Sequence, residues 1–211
     1  MIVIDEQEVK PPDSPKPSYL SGPGSMEWSG KIIAVSEDAS DMRRRIGAAA
    51  LEMDAADGSS QARWRDIVAA RLPKHQWPRQ RVLITAVNAQ TGESVVFDSD
   101  SGVDLVDAVA ASTSNGFGPF GPYRVAEHRY LDGGYRRGSN TDLAAGYGRV
   151  LVLDPFSGRS RHPLEWGMAL ATQVDELRTT GSIVEIVFPD ARSGDVFNAN
   201  ALNPSTRLPA A

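Results

Sequence analysis

Cysteine is absent from this 211-residue sequence. That removes disulfides, thiol nucleophiles and cysteine-ligated metals, and it suits a cytoplasmic location. Histidine occurs three times, at His75, His128 and His162, with no His-x-x-x-His or related spacing, so no zinc site is expected. No apolar run approaches the ~20 residues that span a bilayer, so no transmembrane segment is expected. Positive charge is not in excess either. Lys and Arg total 22 against 27 Asp and Glu, which gives a net charge of −5. Such a chain has no bulk positive field to hold nucleic acid or anionic membrane. The start, Met1-Ile2-Val3-Ile4-Asp5-Glu6, carries acids where a signal peptide carries a basic region. Finally, no serine sits in a Gly-x-Ser-x-Gly nucleophile elbow.

What is present suits one globular core: 41% hydrophobic and 23% charged residues. Residues 1–30 are rich in Pro, Gly and Ser, as in Pro11-Pro12 and Gly22-Pro23-Gly24-Ser25, and read as an extended, poorly ordered leader. Lys31–Val35 fits either a short strand or the start of packing. Apolar spacing from Met42 through Ile46, Ala50 and Met53 predicts a helix, and Trp64, Ile67, Val68 and Leu72 predict a second, stopped by Pro73. Val82–Val87 reads as a buried strand, which Thr91-Gly92-Glu93 turns into a partner at Ser94–Asp98. Ser101-x-x-Asp104 has the form of a capping box ahead of a helix with Leu105, Val106 and Val109 inward. Tyr123–Val125 and Arg129–Leu131 suggest a second hairpin ending at Asp132. A strand over 149–154, a helix opened by Pro163 and a last strand over 183–188 complete an α/β pattern with a sheet at least partly parallel.

The most pointed feature is Tyr130-Leu131-Asp132-Gly133-Gly134-Tyr135, followed by Asn140 and Leu143. A short strand delivers one carboxylate onto two glycines, which tolerate backbone angles and close approaches that other residues do not. Taken alone, Asp132 reads as an acid capping the next backbone amides in an Asx turn. The order around it adds more: strand, Thr-Gly-Glu turn, Phe97-Asp98, a helix ending Ala110-Ala111-Ser112, a Gly/Pro loop, then Asp-Gly-Gly. In that order the chain resembles the C-terminal half of the bacterial patatin-like phospholipases, most clearly over 82–155 and more loosely across 31–211.

The resemblance implies a partial patatin-like three-layer α/β sandwich with a mostly parallel central sheet. It also implies hydrolysis of lipid acyl esters by a Ser–Asp dyad through an acyl-enzyme intermediate, with no cofactor and no metal. Asp132 would be the general base, with Gly133 and Gly134 shaping its turn and Phe117 and Phe120 walling the substrate site. A lone aspartate near its usual pKa of ~3.9 is a feeble base, so partial burial would have to strengthen it. The family's serine elbow lies N-terminal to the matched stretch, and here it is missing. Gly158-Arg159-Ser160-Arg161-His162 is close in spelling but follows the aspartate, and reads as a surface loop. The chain is thus similar to a truncated patatin domain with a remodelled leader, holding the aspartate half of the site. Its expected partners are a lipid or acyl ester substrate and a second chain supplying the elbow. The rival reading is a non-catalytic remnant or binding module. Arg43-Arg44-Arg45 and Arg136-Arg137 would suit anionic headgroups, though short basic clusters are usually solvated faces. His128 and His162 read as surface residues.

Overall fold

The computed structural model describes residues 23–54, 59–117 and 120–190. Residues 1–22 of the leader lie outside the described residues, whereas Pro23–Val35 forms a helix, α1. The leader reading therefore fails over 23–30, and 31–35 is helix and not strand. Pro23 occupies the first helical position, where its missing N–H costs nothing and its fixed φ suits the helix. α2 is Ala39–Met53, capped by Asp38, whose carboxylate accepts from the Asp41 N–H at 2.7 Å. α3 is Ser59–Arg71.

A four-stranded sheet follows: β1 Ile84–Asn88, β2 Ser94–Phe97, β3 Tyr123–Val125 and β4 His128–Asp132, in the order β2-β1-β4-β3. Every pairing in it is antiparallel. This corrects the expectation of a mostly parallel central sheet. Parallel pairing is confined to a separate two-stranded sheet of β5, Arg149–Leu153, and β6, Ile183–Val187, crossed over by α5, Leu170–Thr179. The protein is mixed α/β.

Both hairpins stand where the sequence placed them. In the first, the Asn88 side chain accepts from the Gln90 and Thr91 N–H groups, and Gly92 takes the positive φ of 74° that the turn demands. The helix after it, α4, is Leu105–Ser112. It opens without the capping box, because Asp104 makes no side-chain cap bond. Ser101 instead bonds back to Asp98, accepting from its N–H at 2.7 Å and donating to its carboxylate at 2.9 Å. The helix expected from Pro163 is also shorter. Leu164–Trp166 is a single 3₁₀ turn, Gly167 takes a left-handed φ of 66°, and α5 begins at Leu170. Leu164 and Ala171 are exposed, while Met168, Val174 and Leu177 are buried.

Strand alternation splits the core. Ala86 and Tyr130 join Trp64 and Val68 of α3 and Val106 and Ala110 of α4. Val87 and Leu131 join Ile33 of α1, Met42 and Ile46 of α2, and Met168. Helices thus pack on both faces of the antiparallel sheet. Val152 and Val184 pack on Leu170, Val174 and Leu177 in a third cluster. Gln173, fully buried, ties that cluster to the rest: it donates to the Met168 carbonyl at 2.9 Å and accepts from the Thr141 N–H at 3.0 Å. The opposite face of β5 and β6 is open, with Leu151, Leu153, Ile183 and Val187 exposed. No helix among the described residues is long and apolar enough to cross a membrane.

Gly47 sets how closely α2 approaches the end of β1, because a Cβ there would collide with the Ala89 carbonyl. Gly47→Ala is expected to lose about 1–3 kcal/mol in urea unfolding. Gly148→Ala, where a Cβ meets nothing and φ is not positive, should stay within about 0.5 kcal/mol of the parent.

Candidate functional site

β4 pairs Asp132 with Ala86 of β1, and the Asp132 N–H donates to the Ser114 carbonyl at 2.8 Å. The chain then leaves the sheet through a 3₁₀ turn, Gly133–Tyr135. Neither glycine has a positive φ. Gly133 is needed for proximity: a Cβ there would run into the Thr85 carbonyl and hydroxyl. Gly134 turns its N–H back onto the Asp132 Oδ1 at 2.7 Å. The Asx turn is therefore real, and it leaves the second carboxylate oxygen without a hydrogen bond among the described residues.

That carboxyl lines a cavity of about 240 Å³, together with Asn115, Gly134, Tyr135, Ser29, Ile33, Arg161 and His162. Asn115 comes from the loop after α4, Ser29 and Ile33 from one face of α1, and Arg161 and His162 from the loop after β5. Burial pushes the Asp132 pKa up to about 6, against the opposing pull of the Gly134 N–H. The Tyr135 hydroxyl donates to the Asn115 carbonyl at 2.9 Å. Its pKa is raised by burial and by the neighbouring Asp132 charge. Burial, helped by the Arg161 charge, lowers that of His162, which favours neutral imidazole. Arg161 donates to the Ser29 hydroxyl at 3.2 Å. A second cavity, of about 710 Å³, shares Arg161 and His162 and adds Ser139, Ser160, Phe156, Met168 and Leu170.

The sequence-derived residues are thus partly assembled. Asp132 and Gly134 stand at the cavity, and Gly133 supports them from below. Phe117 and Phe120, expected as a substrate wall, do not border it. Phe117 packs edge-on against Trp28 with ring centroids 4.0 Å apart, and Phe120, 8% exposed, packs against Trp64 at 4.6 Å. They serve separate halves of the core. The arginine clusters are occupied within the chain. Arg43 donates to the Gly92 carbonyl, Arg45 pairs with Asp41, Arg136 with Asp142 and Arg137 with Glu176. His128 is exposed, as read.

Sequence reasoning missed Ser29, Asn115, Tyr135, Arg161 and His162. Ser29 and Ile33 do stand at helical i, i+4 spacing, but Pro23 and its glycine neighbours masked the helix. Arg161 and His162 sit in the loop dismissed as surface, and no local spacing announces their approach to Asp132. Ser29 is 5% exposed and lies in mid-helix, far from the strained strand-to-helix elbow of a serine hydrolase. No group of three or more His, Asp or Glu among the described residues is placed to hold a metal ion. No family model matches the chain, and no curated protein matches its sequence.

The raised Asp132 pKa carries a sign for stability. The folded state binds this proton more tightly than the unfolded chain, so the contribution is full below about pH 4 and lost as pH rises through about 6. Wild type should therefore lose on the order of 2 kcal/mol relative to Asp132→Asn between pH 4 and pH 7. Urea unfolding of both proteins across that range measures it, and parallel curves would overturn the assignment. The lowered His162 pKa acts oppositely, but it is common to both proteins and cancels in the difference.

Proposed function

We propose that this chain carries the general-base half of an acyl ester hydrolase site of the patatin-like type, with Asp132 as the base. The observation that supports the reading best is the Asp132 carboxyl itself. It is held by one backbone N–H, lines a cavity, and is raised to about 6 by burial. At neutral pH such a group is ionised and a far better proton acceptor than an aspartate near ~3.9. It would take the proton of a serine hydroxyl as the oxygen attacks the ester carbonyl, and return it to the leaving alcohol. Lipid acyl esters are the substrate class that the resemblance implies.

Ser29 is the one serine on the wall of that cavity among the described residues. Its place in mid-helix presents no backbone N–H groups for an oxyanion, so it does not replace an elbow. The open apolar face of β5 and β6 favours a second reading, a chain without turnover that pairs with another bearing the elbow.

Hydrolysis of short and medium acyl p-nitrophenyl esters by wild type, Asp132→Ala and Ser29→Ala separates these readings. Catalysis by this chain alone requires turnover that rises through about pH 6 and falls at least ~100-fold in Asp132→Ala. An equal fall in Ser29→Ala would make Ser29 the nucleophile. Background rates in all three proteins would overturn independent activity and leave the second reading.

A further inference from the structure

The turn that aims Asp132 is held from a distance in sequence. Asn140 takes a left-handed φ of 51°, and its Nδ2 donates to the Gly133 carbonyl at 3.1 Å. The same carbonyl accepts the Arg136 N–H at 3.1 Å. Arg136 closes the circuit: its Nη1 donates to the Asn140 Oδ1 at 2.9 Å, and its guanidinium spans both oxygens of Asp142, at 2.9 and 2.6 Å. That ion pair is mostly buried, with the two side chains 14% and 22% exposed. Below the turn, Thr85 blocks any movement of Gly133 toward the sheet. Gly133 is therefore clamped between a strand and a side-chain amide, and Gly134 follows it with its N–H on Asp132.

We propose that Asn140 is a positioning residue for Asp132: its side-chain amide, bonded to the Gly133 carbonyl, holds the 3₁₀ turn that keeps the Gly134 N–H on the Asp132 carboxylate. The inference concerns the same site as the hydrolase reading but rests on geometry that exists whether or not the chain turns over ester. The physical lever is simple. The Gly134 N–H is the one hydrogen bond to that carboxyl among the described residues, and a bond to the charged form lowers a carboxyl pKa. Loosening the turn weakens that bond and lets burial act alone, so the pKa rises. Asn140 is neutral, so its removal changes the charge of no group around Asp132; Tyr135, Arg161 and His162 share the cavity, and the Arg136–Asp142 pair stands behind the turn.

Asn140→Gly tests this cleanly, because glycine accepts the left-handed backbone and deletes the amide alone. The readout is the Asp132 side-chain carboxyl ¹³C shift followed through pH, assigned against Asp132→Asn, with Gly134 amide hydrogen exchange measured beside it. The expected result is a rise in the Asp132 pKa of about one unit and faster Gly134 exchange. Arg137→Gln is the control. Arg137 bonds to Glu176 and to the Gly167 carbonyl; it stands 4.0 Å from one Asp142 oxygen, against 2.9 and 2.6 Å for Arg136, and makes no hydrogen bond to the turn, so its loss should lower the melting temperature without moving the Asp132 titration. An unmoved titration in Asn140→Gly, or an equal move in Arg137→Gln, overturns the proposal. Should Asn140→Gly fail to fold, Asp142→Asn loosens the far end of the same clamp, and the Gly134 exchange rate decides in its place: faster exchange supports the proposal and unchanged exchange overturns it. An absence of ester turnover touches the hydrolase reading and leaves this test intact.

Discussion

The close approach of Gly133 to Thr85 governs much of this structure. β1 lies between β2 and β4, and the chain leaves β4 where its last pair, Asp132 with Ala86, sits beside Thr85. Without a Cβ at 133, the backbone turns directly over the Thr85 carbonyl and hydroxyl. The carboxyl is thereby fixed to an interior strand of the sheet and not to a free loop. A loop-borne acid would relax toward water and keep an ordinary pKa; this one cannot, and its affinity for a proton follows from that position. The clamp through Asn140, Arg136 and Asp142 presses from the other side, so the position of the Asp132 carboxyl is set by backbone packing first and by electrostatics second.

The same sheet explains which parts of the fold were legible in sequence. The hairpins were, because Val82–Val87 and Ser94–Asp98 flank a turn whose glycine must adopt positive φ, and Tyr123–Val125 and Arg129–Leu131 are short strand-like runs that pair although their turn has no glycine and holds Ala126 at a φ of 51°. The direction of pairing was not. Helices cover both faces of the sheet, so Ala86 and Val87 are both fully buried although they point opposite ways. A strand buried on both faces gives a continuous apolar run, and such a run has the same appearance in parallel and antiparallel sheets. Helix boundaries failed where short polar side chains had a choice of partner, as Ser101 did between Asp98 and the helix at 105.

For the site, legibility stopped at local spacing. Asp132 and its glycines are neighbours in sequence and were found. Ser29 and Arg161 touch across 132 residues, and a contact of that kind leaves no mark on periodicity or composition. Phe117 and Phe120 show the converse. They are near the aspartate in sequence order, yet their rings went to Trp28 and Trp64, because aromatic area is worth more in a core than along a polar cavity.

The cavity around Asp132 joins segments of very different tenure: a sheet strand at its floor, and at its sides α1 and the loop after β5. The floor is an interior strand paired on both edges, while the sides come from segments more than a hundred residues apart in sequence. Any separation of these segments that let water reach the carboxyl would lower its proton affinity toward that of a free aspartate. Opening the cavity therefore releases a proton, and by reciprocity protonation holds it shut. The burial that raises Asp132 thus makes access to the cavity a function of acidity.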